Sequence, residues 1–227
     1  MNSPFQIAHR RLYPSLSDPS YLVLRSRRLI LTGWIASLGR DLRVLDIGGR
    51  YQPYRPLLGR RLKSYIGLDI ERTEFVNVVG KGEALPFADA SFDLVIATQV
   101  FEYLTDPLSA AKQIHAVLRD GGVLLASVAG LTPRFVDGEL WRFTAPGIRS
   151  LFSSFSTVET VPELARSASL VRTTNLGLHS FCRYKWLRSL YELTACPVLN
   201  ASGLLLENMR LTSDDRFATN FSVRAIK

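Results

Sequence analysis

The feature that most constrains this chain is a rhythm of short apolar runs, each closed by a turn signal and followed by a helix-like segment. Leu42–Ile47 is a buried-strand run that leads directly into Gly48-Gly49. Pro53–Leu62 is helix-like, Ser64–Asp69 is strand-like, and Phe75–Val79 is a second β-branched run. Phe92–Ala97 (FDLVIA) is apolar on both alternating faces, as a central parallel strand must be when helices cover both its sides. Asp106-Pro107 opens a helix that runs to Leu118, because proline's missing N–H costs nothing in a first turn. Asp120-Gly121-Gly122 stops that helix, and Val123–Val128 is the next strand. Strands alternating with helices in this way predict a parallel sheet covered on both faces.

The flanks carry weaker signals. Residues 1–20 are polar and proline-containing and read as an arm or short cap, while Tyr21–Leu38 has the apolar spacing of an amphipathic helix. Ala145–Phe152 reads as a helix, Thr157–Val161 as a strand, Leu176–Met209 as one or two extra helices, and Phe217–Ile226 as a final strand. The expected organisation is one domain in three parts. Residues 1–40 form an arm and helix, 41–162 a core, and 163–227 a helical insertion or lid with the last strand.

The chain has 227 residues, enough for one α/β domain with a full core. Lys and Arg number 28 against 20 Asp and Glu, a net charge of +8. That excess suits an anionic substrate, a nucleic acid or a membrane surface. The basic residues are scattered, so an ordinary solvated surface accounts for them equally well. Cys182 and Cys196 have no second pair beside them, which argues against a zinc site or a disulfide framework and for reduced core thiols. The first residues lack the apolar core of a signal peptide, and no apolar run is long enough to span a bilayer; the expected location is the cytoplasm.

The chemistry concentrates around Gly48-Gly49. A nucleoside cofactor needs a sharp turn after the first strand, where only glycine lets the backbone approach the ligand. It also needs an acid at the end of the second strand to accept hydrogen bonds from the ribose hydroxyls, and Asp69 stands there. A diphosphate requires G-x-G-x-x-G, whereas this chain reads Gly48-Gly49-Arg50-Tyr51-Gln52-Pro53 and lacks the last glycine. Asp46, two residues before Gly48, would repel a diphosphate and hold a cationic amino-acid moiety. That combination favours S-adenosylmethionine over NAD.

Four segments in order, VLDIGG, YIGLDIE, GEALPFADASFDLVIATQVFEYLTDP and QIHAVLRDGGVLLASV, resemble successive motifs of the class I methyltransferases over about residues 43–128. The nearest branch holds quinone-biosynthesis enzymes and many sugar- or glycolipid-pathway relatives, the methyltransferase domain 11 type. A weaker similarity to bacterial members linked to cell-envelope glycan pathways continues through Leu140-Trp141-Arg142-Phe143-Thr144. The resemblance implies a Rossmann-like doubly wound α/β fold with a seven-stranded, mostly parallel sheet, helices on both faces, and extra C-terminal helices before the last strand. It implies S-adenosylmethionine as cofactor, with Asp46, Gly48 and Gly49 lining the methionine end and Asp69 holding the ribose. Glu83, Ala84 and Leu85 would lie beside the adenine with their backbone N–H groups available, and Thr98 and Gln99 near the sulfonium and amino group. Tyr103 stands where relatives often have His, close to the transferable methyl. Arg50 replaces a third glycine, and Lys81 replaces a common Asp that would receive the adenine amino group. No metal is implied.

Plainer readings stand beside these. Tyr103 reads equally well as a packed aromatic. Trp141 and Arg142 either line the substrate mouth or pin a loop to the core. Asp93 reads as a local cap or pair, His115 as a surface residue, and His9 and His179 show no partner in sequence. Arg183, Lys185 and Arg188 among Phe181, Tyr184, Trp186 and Leu187 read as core-and-surface alternation rather than as a basic aromatic face. The expected acceptor is a small molecule or a glycan- or lipid-linked intermediate, amphiphilic or anionic, with membrane-surface contact compatible and nucleic acid disfavoured. Two other readings remain: a methyltransferase-like partner protein that binds cofactor weakly, prompted by Arg50 and Lys81, and an RNA methyltransferase, prompted by the charge.

Overall fold

The computed structural model describes residues 3–134, 136–209 and 215–227. Seven strands form one sheet in the order β3-β2-β1-β4-β5-β7-β6. They are β1 Leu42–Ile47, β2 Leu62–Asp69, β3 Val78–Val79, β4 Phe92–Thr98, β5 Leu118–Ala129, β6 Thr157–Pro162 and β7 Asn220–Ile226. β1 to β5 run parallel, and β7 runs antiparallel to both β5 and β6. The fold is the seven-stranded α/β arrangement with helices on both faces that the sequence leads one to expect. Strand order reverses between β1 and β4: the chain builds outward from β1 to β3 and then returns. In such sheets the crevice outside the strands' C-terminal ends at the reversal is the ligand site.

The α-helices among the described residues are α1 Pro4–Leu12, α2 Tyr21–Ala36, α3 Pro107–Val117, α4 Ala145–Leu151, α5 Arg166–Phe181, α6 Lys185–Leu193 and α7 Ala195–Asn208. The core has two sides because strand residues alternate. Leu45, Val95, Leu124 and Val223 pack with Ala110 and Ile114 of α3 and Ile148 of α4. Val44, Leu94, Ile96 and Leu125 pack with Leu31 and Ile35 of α2 and with Leu58. Asp106 caps α3 by accepting from the Ser109 N–H at 3.0 Å, and Pro107 follows it, as the dipeptide requires. Asp93 pairs with Arg43 and Arg119, a local role.

Several elements differ from expectation, each for a local reason. Pro53–Leu62 yields a 3-10 helix over Arg55–Arg61, broken where Gly59 takes φ +49°. Phe75–Val79 shortens to Val78–Val79, because Asn77 instead exchanges hydrogen bonds with Gly67 through its backbone N–H and its side chain. Residues 1–20 contain α1 rather than a plain arm, started by a reciprocal capping box between Ser3 and Gln6. α3 stops at Val117, and Leu118 already pairs with Phe92; the following residues bulge out, with Gly121 at φ +69°, before Val123 pairs with Leu94. The C-terminal helices number three. They form an excursion rooted at the sheet's C-terminal end, where the Glu163 N–H donates to the Asn220 carbonyl (2.9 Å) and the Ala165 N–H to Glu207 Oε2 (2.8 Å). Among the described residues no helix is long and apolar enough to cross a membrane, no group of residues could hold a metal ion, and both cysteines are buried and free.

Candidate functional site

The turn after β1 is held tightly. The N–H groups of Gly48 and Gly49 both donate to the Leu68 carbonyl, at 2.8 and 3.0 Å, tying the turn to the end of β2. Gly48 has φ +75°, and a Cβ there would stand 2.5 Å from Val100 Cγ2. A Cβ on Gly49 would stand 2.7 Å from the Asp46 carbonyl oxygen. Both positions therefore demand glycine, and the turn sits against the residue that follows the β4 end.

Two buried carboxylates flank this turn. Asp46 accepts from the Tyr65 hydroxyl at 2.7 Å. Burial, reinforced by the charge of Asp69, pushes its carboxyl up to about 7 in spite of that hydrogen bond. Asp69 accepts from the Glu71 N–H at 2.9 Å through Oδ1, and its Oδ2 lies 3.5 Å from Arg50 Nε. Arg50 thus reaches the acid assigned to the ribose, while its Nη1 makes the shorter contact, 2.6 Å, to the exposed Glu71. Tyr51 lies between two guanidinium groups, Arg11 of α1 at 4.8 Å from its ring centre and Arg50 at 5.7 Å. α1 consequently reaches the segment just beyond the glycine turn.

The remaining predicted residues fall into two groups. Thr98 ends β4 beside the turn. Glu83, Ala84 and Leu85 follow β3 on the opposite flank, but their polar groups are engaged. Glu83 Oε1 accepts from the Thr105 N–H (2.9 Å) and hydroxyl (3.0 Å). The Ala84 N–H donates to the Lys81 carbonyl (3.2 Å), and the Leu85 N–H to Gln113 Oε1 (3.2 Å). The expectation that these N–H groups are available is corrected for Ala84, whose N–H closes the loop onto Lys81, and for Leu85, whose N–H is taken by Gln113 of α3. Gln99, next after Thr98, also has its side chain engaged. Its backbone is left-handed at φ 55°, and its side chain bonds Ser127 Oγ (3.2 Å), Glu102 Oε1 (3.3 Å) and Asn220 Nδ2 (3.3 Å), all on the β5–β7 side of β4.

Tyr103, Trp141 and Arg142 belong to one loop clamp. The Tyr103 hydroxyl donates to Glu139 Oε1 at 3.2 Å, and burial together with that carboxylate pushes the phenol up to about 12. Such a phenol keeps its proton at neutral pH. Trp141 Nε1 donates to the Leu104 carbonyl at 2.7 Å, and Arg142 spans the Thr132 and Pro133 carbonyls and Glu139. The loop-pinning reading is the one their contacts match.

Sequence reasoning missed Glu102. It is buried, bonds the Ala129 N–H and Gln99 through Oε1, and has no hydrogen-bond partner for Oε2. Burial pushes its carboxyl up to about 7, into the range where a proton moves readily near neutrality. The available signal was a carboxylate inside an otherwise apolar run, Val100–Leu104. Also missed was the buried pair of Arg27 with Glu163, at 2.8 and 3.0 Å, whose acid accepts from the Ser127 (2.7 Å) and Ser222 (2.9 Å) hydroxyls as well. No short-range pattern links residues so far apart. An open cleft of about 240 Å3 lies at the end of β5, lined by Gly130, Arg142, Ala145 and Phe221, two strands from β1. The glycine turn itself lies outside that cleft.

The chain is similar to known proteins over part of its length, and to solved structures in fold. The family described as "Methyltransferase domain" matches residues 45–126. Malonyl-[acyl-carrier protein] O-methyltransferase 1 of Coxiella burnetii is 34% identical over 108 residues, covering 42% of this chain and 38% of that protein. A probable S-adenosylmethionine-dependent methyltransferase of Mycolicibacterium smegmatis is 28% identical over 135 residues, 55% of this chain and 52% of that one. The matched stretch therefore spans about half or less of these relatives' own length. Among solved structures, Haemonchus contortus phosphoethanolamine N-methyltransferase 2 in complex with S-adenosyl-L-methionine shares the fold with a TM-score of 0.57 at 13% identity, covering 100% of this chain and 60% of that one.

Proposed function

We propose that this chain, a member of the class I S-adenosylmethionine-dependent methyltransferases, binds that cofactor at the reversal between β1 and β4 and methylates a small-molecule or a glycan- or lipid-linked acceptor. The observation that carries the reading is the glycine turn tied to β2 between two buried acids, Asp46 and Asp69. The residues fit the cofactor: paired carboxylates that repel one another are relieved by a ligand carrying a sulfonium and an ammonium. Asp46, Gly48 and Gly49 would hold the methionine end, Asp69 the ribose, and the Glu83–Leu85 segment would lie along the adenine. Arg50 need not block the ribose. It is about a third exposed and keeps Glu71 as a partner when it leaves Asp69.

S-adenosylmethionine supplies an electrophilic methyl, so the chain's task is to align a nucleophile. Thr98 and the backbone of Gln99 form the wall at the β4 end, and Tyr103 shapes the mouth as a neutral phenol. Glu102 is the buried carboxyl suited to take a proton from an acceptor oxygen or nitrogen. Calorimetry with S-adenosylmethionine and S-adenosylhomocysteine tests the reading, and absence of heat at millimolar ligand would sink it.

The second reading, a methyltransferase-like partner with weak cofactor affinity, draws on Arg50 beside Asp69 and on the occupied N–H groups of Ala84 and Leu85. Arg50→Gly distinguishes the two. If Arg50 is what limits binding, the substitution tightens it by up to about five-fold, the loss of one exposed ion pair's competition being the cause.

A further inference from the structure

α6 inverts the usual placement of an amphipathic helix. Trp186, Leu190 and Leu193 stand at i, i+4 and i+7 on one face, and all three point to solvent, at 67%, 51% and 75% exposure. No residue of α6 is buried. Phe181 and Tyr184, just before the helix, are also exposed, at 78% and 67%. The core-and-surface alternation expected of this segment is therefore corrected: its aromatic residues lie outside. Large exposed apolar patches on soluble folds mark partner or membrane sites.

The charge beside the patch selects between these. Arg183 and Lys185 precede the stripe, both exposed, and Arg188 lies on the other side of the helix. The helix's carboxylate, Glu192, is engaged by His179 at 3.0 Å. Arg and Lys next to exposed Trp, Phe and Leu on a strongly amphipathic helix is the pattern of an element lying in a bilayer interface.

We propose that the outward face of α6, with Phe181 and Tyr184, docks on an anionic phospholipid surface. The excursion that carries it is rooted at the sheet's C-terminal end, the end that holds the candidate site, through Glu163 on Asn220 and Ala165 on Glu207. α6 follows the far end of α5, whose sixteen residues span about 24 Å. Docking there would hold the sheet's C-terminal end near lipid, where an amphiphilic acceptor resides. That consequence for the acceptor rests on the methyl-transfer reading, whereas the docking itself does not.

The test is flotation of the full chain with vesicles of phosphatidylcholine alone and of phosphatidylcholine mixed with phosphatidylglycerol, without cofactor. The wild-type chain should float with the anionic vesicles, not the neutral ones, and added salt should weaken the association. Arg183→Glu with Lys185→Glu should lower partitioning about thirty-fold or more, each basic residue near an anionic surface contributing about a factor of five. Trp186→Ser, Leu190→Ser and Leu193→Ser together should abolish flotation with an unchanged melting temperature, since all three side chains are solvent-facing. Should that triple variant not fold, the charge-reversal pair alone decides. Failure of the wild-type chain to float with anionic vesicles overturns the proposal. So does equal flotation of the charge-reversal variant, or a dimer in sedimentation that the triple variant loses while vesicle binding is absent. A methylation assay plays no part in these outcomes.

Discussion

The parallel core and the helical excursion are built on opposite rules. In β1, β4 and β5 the apolar residues are inside: Val44, Leu45, Leu94, Val95, Leu124 and Leu125 have no exposed surface. In α5 and α7 the buried set includes Ser169, Arg172, Asn175, Cys196 and Asn200, while Leu170, Leu178, Val198 and Leu205 face solvent. The core is held by apolar burial. The excursion has only a small apolar contact, Leu164 and Ala168 against Leu22 and Val23 of α2, and adds polar anchors to it: Arg27 on Glu163, Asn175 on Asn200 (3.1 Å), and Asn200 on the Leu16 (2.7 Å) and Asp18 (2.9 Å) carbonyls. A segment fixed in this way can leave an apolar face free for another purpose.

The largest effect expected from this contrast comes from Glu163→Gln. It leaves the Arg27 guanidinium buried without its carboxylate and should cost about 3–5 kcal/mol in urea unfolding. A loss below 1 kcal/mol would mean that the excursion is held by something other than its polar anchors.

A smaller effect separates function from stability at the turn. The folded Asp46 carboxyl stands at about 7, above its ordinary unfolded value near 4, so the native state binds the proton more tightly. The unliganded protein should therefore lose stability as pH rises from about 4 to about 7, Glu102 contributing in the same direction. Asp46→Asn should flatten part of that slope in thermal melts from pH 5 to 8. A cationic ligand favours the carboxylate, so affinity for S-adenosylmethionine should rise with pH, by up to about ten-fold per unit, until it levels off above about 7 in the wild type, and not in Asp46→Asn. An unchanged pH profile in the variant would remove Asp46 from the site.

The smallest effect has the most diagnostic sign. Arg172 is buried with Nε and Nη1 lacking hydrogen-bond partners, and burial pulls its guanidinium down to about 10, Arg27's charge adding to that. Glu163 is already taken by Arg27. Arg172→Met should thus raise stability by about 1 kcal/mol, measured by the urea midpoint. A loss would show that Arg172 is stabilised in the fold after all.

The same contrast explains what was legible in the sequence. Leu42–Ile47 is recovered with the same bounds, and Phe92–Ala97 and Thr157–Val161 to within a residue, because in the core apolar periodicity and burial coincide. The turn Gly48-Gly49 was legible because only glycine satisfies its geometry. The excursion was legible as helices but not as faces: periodicity marks an amphipathic helix without saying which side turns inward. The engaged N–H groups of Ala84 and Leu85, the sideways Gln99, and the union of Arg27 with Glu163 depend on contacts between distant segments, to which no local pattern is sensitive.

Whether the glycine turn and its two acids form an S-adenosylmethionine site is decided by titration calorimetry of the wild-type chain and of Asp69→Ala with S-adenosylmethionine. The expected result is saturable one-site binding in the wild type, weakened by about 2 kcal/mol, or roughly thirty-fold, when the hydrogen bonds to the Asp69 carboxylate are lost, with the melting temperature of the variant preserved. No binding by the wild-type chain, or equal binding by both, would contradict it.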